Sequence, residues 1–395
     1  MAISSQKIIP KSFIRLIPAA ISMSATFIIV SIIGKNQYGL VSVMLATSSG
    51  INSVFFHWAR NLIVFENNLK ISRDMSNNAW ISSLFLVPFP ITLLILSGNI
   101  TLFDSVLILI YLFFQSLFER EVEFLRKNLD LKNYLIISCS RPMLNILAVL
   151  IFINLLPTSG VFRGCFLILS ISPLISILIL KKKLTIPNFR KWNFQSIKII
   201  PSGIMITIPL SYVFLQDAVL KFISLKALPQ SSFGEFAVFS DISLSVSWVV
   251  ISSFCWDFAP LAQSQNQSLK GLFLRKLLIL VIAGISITTV IYLTSLKTFL
   301  FLIPSTLILT DQYFMIFSNH FIAGVLSSLV FVGFILNGDR KAAFTLSILG
   351  LIMLFLNVNY FFKEAILGGL IATNGLIAII GISLFFFKNS ISHSR

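Results

Sequence analysis

Charge is scarce in this sequence, so the charged residues that interrupt its long apolar runs are where chemistry would concentrate. The 395 residues include only 14 Asp and Glu and 30 Lys and Arg. Arg141 stands deep in one such run, followed by Pro142 and, one helical turn on, Asn145. Asp241 and His320 stand alone in two others. At 1.5 Å per helical residue, each of these three lies roughly 10–12 Å from the end of its run. Asp217 and Lys221 have the i,i+4 spacing at which two side chains on one helix face neutralise each other. Arg15, His57, Arg60 and Asp257 fall near run ends, where long side chains can reach polar surroundings. A guanidinium binds phosphate through two parallel hydrogen bonds. Asp217, Asp241 and His320 are of the types that carry a proton or a coupling ion inside a membrane.

Other chemistry is missing. No Gly-rich phosphate loop, paired-acid motif or His/Cys ligand spacing occurs, so neither a metal nor a cofactor is expected and an enzyme reading is weak. Cys139, Cys165 and Cys255 all fall within apolar runs and read as small buried hydrophobes.

The elements that must position these groups follow from composition. Hydrophobic residues make up 56% of the chain, including 39 Phe, and only 11% is charged. No soluble core buries that much apolar surface, so lipid is the solvent for most of this protein. The runs are continuous rather than alternating, which selects helices over a barrel. Twelve spans are predicted, at about 13–33, 38–60, 77–97, 101–124, 134–156, 160–180, 199–223, 233–257, 277–300, 312–336, 342–361 and 364–387. Of the 30 cations, 23 then fall on one side of the membrane and 6 on the other, with Arg141 inside a span. That bias predicts an all-α polytopic membrane protein with both termini cytoplasmic. The formal charge of +16 is accordingly a topology signal, with some contact to anionic membrane lipids. Dispersed over loops with no folded domain to shape a groove, it does not indicate nucleic acid.

The long basic segment 181–198 divides six spans from six, predicting two pseudo-repeated six-helix bundles over 1–190 and 191–395. The half-starts look alike. Ile8-Ile9-Pro10, Ile17-Pro18 and Tyr38-Gly39 correspond to Ile199-Ile200-Pro201, Ile208-Pro209 and Phe233-Gly234. Such weak internal similarity is a mark of duplicated transporters, and prolines within spans supply kinks.

Tyr38-Gly39-Leu40, with the stretch that closes on Phe56-His57-Trp58-Ala59-Arg60, resembles the start of Wzx-type O-antigen flippases. These polysaccharide exporters belong to the multidrug/oligosaccharidyl-lipid/polysaccharide superfamily. The resemblance covers essentially the whole chain through length, span number and the basic mid-chain loop. It implies translocation of an undecaprenyl-pyrophosphate-linked oligosaccharide across the bacterial cytoplasmic membrane. It also implies alternating access around a cationic cavity, in company with polysaccharide polymerase or other assembly proteins. On that basis Arg15, Arg60 and Arg141 are the expected substrate-binding residues and Asp217, Asp241 and His320 the candidates for ion coupling. Two alternatives stand beside it. A small-molecule/cation antiporter of the same superfamily prefers an acidic cavity, and a polysaccharide polymerase needs a large outer loop.

Overall fold

The computed structural model describes residues 11–60, 69–96, 100–128, 130–152, 160–181, 200–255, 269–293, 310–360 and 366–391, with positions 187, 189, 192 and 258 between them. All regular structure among these is helical. The first six apolar runs carry α1 (Lys11–Ile33), α2 (Lys35–Phe55), α3 (Leu69–Leu86) with α4 (Pro88–Leu96), α5 (Leu102–Lys127), α6 (Leu131–Phe152) and α7 (Val161–Lys181). The second six carry α8 (Ile200–Leu210) with α9 (Tyr212–Ala227), α10 (Gln230–Cys255), α11 (Leu269–Leu293), α12 (Thr310–Val325) with α13 (Phe331–Leu336), α14 (Arg340–Tyr360) and α15 (Ile366–Ile391). Every predicted span is thus occupied by helix. Among the described residues seven helices are each long and apolar enough to cross a bilayer, and the α8–α9 pair taken together makes an eighth. The boundary expected near residue 190 lies outside the described residues, as does Asp257.

Breaks fall where backbone hydrogen bonding fails. Val87 precedes Pro88 and separates α3 from α4. Pro209 cannot donate to the Met205 carbonyl, and the chain bends by 66° between α8 and α9. The buried Ser211 at that bend closes the first segment through its N–H to the Thr207 carbonyl at 2.9 Å, and its own carbonyl accepts from Phe214 and Leu215 at 3.0 Å. Val213, left without an intrahelical acceptor, donates its N–H to Ser327 Oγ at 3.2 Å. Ser327 lies in a π-helical turn, Leu326–Val330, that joins α12 to α13. One irregularity therefore satisfies the other.

Three apolar clusters organise the bundle. The buried members of one all come from the first half, around Trp80, Tyr111 and Phe166. Those of a second all come from the second half, around Phe273, Phe331 and Phe385. A third runs along the seam, where Ile29, Tyr38 and Val41 meet Val238 and Ile242. Large apolar side chains also point outward in stripes: Leu274, Leu278, Ile282 and Ile285 on α11 are each more than half exposed. At i, i+4, i+8 and i+11 they form one helix face, which only lipid accommodates.

The seam's closest point is the pair of half-start motifs. Gly34, with φ of 79°, makes the tight turn between α1 and α2 that only glycine adopts without strain. Just beyond it, Gly39 faces Gly234. A Cβ at Gly39 would sit 3.1 Å from Gly234 Cα, and one at Gly234 would sit 2.6 Å from the Lys35 carbonyl oxygen. Lys35 and Glu235 pair beside this crossing. Backbone on both sides leaves no room to yield. Gly234→Ala is therefore expected to lower thermal stability in detergent by about 1–3 kcal/mol through overpacking. Gly375→Ala, with open space around the added methyl, should change it by less than about 1 kcal/mol; equal effects would contradict this close approach.

Candidate functional site: a buried charge network above a cationic cavity

The seven-residue network begins with Lys221. Its side chain is 1% exposed, and its Nζ donates to Asp217 Oδ2 at 2.7 Å and to Asp241 Oδ1 at 2.5 Å. Asp217 and Lys221 lie one turn apart on α9, while Asp241 projects from α10. Asp241 Oδ2 also accepts from Tyr38 Oη at 2.8 Å and Ser42 Oγ at 2.7 Å, both on α2. Asp217 Oδ1 accepts from Ser240 Oγ at 2.7 Å and lies 3.2 Å from His320 Nε2. The other His320 nitrogen, Nδ1, is 2.9 Å from the Ile316 carbonyl. Both ring nitrogens thus lie against oxygens of neighbouring groups. The cluster holds two carboxylates, one ammonium and one imidazole. Next to it Gln216, Asn319 and Asn374 form a closed set of carboxamide hydrogen bonds, with Tyr212 Oη donating to Asn374 Oδ1 at 2.7 Å.

Below the network lies a cavity of about 760 Å³. Its lining runs from Tyr38 and Asp241 to Arg60, Arg126 and Cys255, at the helix ends that carry the cation-rich loops. Arg60 donates to Glu119 Oε2 at 3.3 Å and touches His57. Glu119 is further held by Gln115 at 2.7 Å and Asn52 at 3.0 Å. Arg126 pairs with Glu123 on the same helix. Arg141 differs from both: it lies 3.5 Å from Tyr111 Oη and over the Phe118 ring at 5.2 Å, with no carboxylate partner among the described residues. The two acids on the lining, Glu123 and Asp241, each have a cation, whereas this guanidinium has none.

Asp217, Asp241 and His320, predicted separately, therefore meet in one network, and Arg60 and Arg141 meet on one cavity. Arg15 lies on α1, outside the residues whose side chains are described. The structure also revises two loop assignments. Lys221, one of the six cations assigned to the outer side, is buried and bridges two carboxylates rather than one. Arg163, another of those six, lies in the first turn of α7 and pairs with Asp104 at 2.8 Å, an aspartate that with Thr101 caps α5. Arg126, counted with the cytoplasmic loops, lines the cavity because α5 continues to Lys127, three residues past its expected end. The i,i+3 pair Glu123–Arg126 was the available signal for that extension. Tyr38 was noted as part of a repeat and of the family resemblance, without a site role, and Trp248 carried no signal in so aromatic a chain.

No family model and no curated protein matches the sequence. Solved structures do resemble the fold. An inward-facing multidrug resistance MATE-family transporter of the MOP superfamily superimposes with a TM-score of 0.65 at 15% identity, over 97% of this chain and 99% of that one. An outward-facing MATE-family transporter of the same superfamily gives 0.57 at 16% identity, over 98% and 97%. The MATE multidrug transporter DinF-BH gives 0.54 at 12% identity, over 95% and 93%. The chain has a MATE-like fold. Identity at this level fixes architecture and leaves the cargo to the residues that line the cavity.

Removing the central ammonium separates structure from charge. Lys221→Met leaves Asp241 without a cation and Asp217 with only His320 beside it, and is expected to destabilise the protein by about 3–5 kcal/mol. Asp241→Asn keeps Lys221 paired with Asp217 and should cost clearly less. Thermal unfolding in detergent compares the two; equal losses would contradict a shared lysine.

Proposed function

We propose that this protein is a flippase of the bacterial cytoplasmic membrane, moving an oligosaccharide linked to undecaprenyl pyrophosphate from one leaflet to the other by alternating access. The observation that carries the proposal is Arg141, a guanidinium on the cavity lining without a carboxylate among the described residues, while both lining acids have partners. A cavity with that balance attracts anions. A pyrophosphate in bare hydrocarbon faces a very large desolvation cost, and guanidinium groups offset it through charge-assisted bonds. Arg60 supports Arg141 from the same wall, and Arg15 belongs with them through its place on α1. The prenyl tail stays in the bilayer while the saccharide crosses through the cavity.

The MATE-like fold supports a transporter. So does the placement of the cavity, whose lining runs from the helix ends that carry the cation-rich loops to Tyr38 and Asp241 of the network. The better superposition on the inward-facing relative agrees with that arrangement. Equivalent spans of the two halves also pack alike, α5 on α7 as α12 on α15 and α6 on α7 as α14 on α15, which supports rocking of two pseudo-repeats. Asp217, Asp241 and His320 are the proposed coupling site: a gain or loss of one proton among two carboxylates, an ammonium and an imidazole changes the net charge of the network and favours rearrangement. Polysaccharide polymerase and other assembly proteins are the proposed partners.

A second reading, small-molecule/cation antiport, is favoured by the descriptions of the solved relatives, which are multidrug transporters. The two readings differ in the sign of the cargo. For the flippase, Arg141→Ala should weaken binding of undecaprenyl pyrophosphate to the purified protein at least about tenfold and reduce surface polysaccharide at unchanged expression. A cationic dye should bind no worse to the variant. Wild-type affinity for the pyrophosphate lipid in Arg141→Ala, with wild-type surface polysaccharide, sinks this assignment.

A further inference from the structure

The cavity's two walls differ in chemistry. Its lysines and arginines, Arg60, Arg126 and Arg141, all come from the first half, with Tyr134 beside them. None of the lining residues from the second half is a lysine or arginine. That wall instead presents Trp248, Ser245 and Ser328. Asp241, Ser245 and Trp248 follow one another at four and three residues, so α10 carries them on a single face below the charge network. The edge-on Phe214 ring, 5.0 Å between centroids and inclined by 62°, fixes the Trp248 indole. Ser328 reaches the cavity from the π-helical turn. Several serines in these helices donate back to a carbonyl three or four residues earlier, as Ser48, Ser170, Ser176 and Ser327 do. Ser245 and Ser328 have no hydrogen-bond partner among the described residues, although both are partly buried.

An indole with free hydroxyls on the same wall is a surface for a sugar. The apolar C–H face of a pyranose stacks on an aromatic ring, while its hydroxyls need donors and acceptors that carry no charge. We infer that the walls divide the cargo, the first half holding the pyrophosphate and the Trp248–Ser245–Ser328 wall of the second half holding the sugars next to it. Trp248 is then a specificity-determining residue, and saccharide selection is separate from phosphate capture. This inference rests on the flippase reading.

The test uses the full chain in lipid nanodiscs and two probes: undecaprenyl pyrophosphate, and the same lipid carrying an N-acetylhexosamine disaccharide. The wild type should bind the saccharide-bearing probe about tenfold more tightly than the bare lipid. Trp248→Leu should abolish that preference and leave affinity for the bare lipid within about twofold. Trp248→Phe should retain part of the preference, and Arg141→Ala should weaken both probes alike. The division of labour is overturned if Trp248→Leu weakens both probes equally or leaves the preference intact while the variant unfolds at the wild-type temperature. If the wild type binds neither probe, the flippase reading itself fails, and that outcome is distinct from loss of the preference alone.

Discussion

A lysine ammonium almost wholly removed from solvent, in the apolar part of a helix bundle, must be matched or the bundle does not form. Lys221 meets this constraint by lying between two carboxylates from different helices, and much else follows. Asp217 ties it to His320 and so to α12. Asp241 ties it to Tyr38 and Ser42 and so to α2, on the other half of the molecule. The same network joins the second half internally and fastens it to the first. It sits directly below the crossing at Gly39 and Gly234, where the backbones leave no room for a side chain. The contact of α2 with α10 is therefore made by close packing together with charge-assisted hydrogen bonds.

The same constraint shapes the cavity. Because Asp241 has Lys221 and Glu123 has Arg126, the acids on the lining are already compensated. Arg141 is left with a phenol and an aromatic face, weak partners for a guanidinium. A cavity in this state is most complementary to an anion. The charge that the lining offers is thus set by how the internal pairs are distributed, which a count of charged residues does not reveal.

Helix positions were legible in the sequence because lipid imposes a simple rule on apolar run length, and α1 to α15 fall on the twelve runs that the rule selects. Tyr38-Gly39 and Phe233-Gly234 were legible as a repeat, although only the structure shows the two glycines in contact. The types of the coupling candidates were legible as well, since an isolated Asp or His in an apolar run is costly. Which of them meet was not. Asp217 and His320 are separated by about a hundred residues, and their contact depends on the bend at Pro209 and the π turn at Leu326–Val330. The two irregularities meet in one contact, the Val213 N–H that finds Ser327 Oγ instead of a carbonyl, a choice made in tertiary structure. Lys221 and Arg126 were misplaced for a related reason: charge alone marks a residue as a helix end, and a buried partner removes that meaning. Trp248 was silent because an aromatic in a Phe-rich chain is ordinarily packing.

The MATE-like fold leaves the cargo open, so the central claim concerns what crosses. The most direct measurement reconstitutes the wild-type protein in liposomes and follows two tracers, a pyrophosphate-linked saccharide on a prenyl carrier and a cationic amphiphilic dye. Leaflet accessibility of the saccharide to an added glycosidase reports the first, and dye fluorescence reports the second. The account predicts that the saccharide changes leaflet in a protein-dependent manner and that the dye does not move. Protein-dependent transport of the dye, with the saccharide held in its original leaflet, would contradict it.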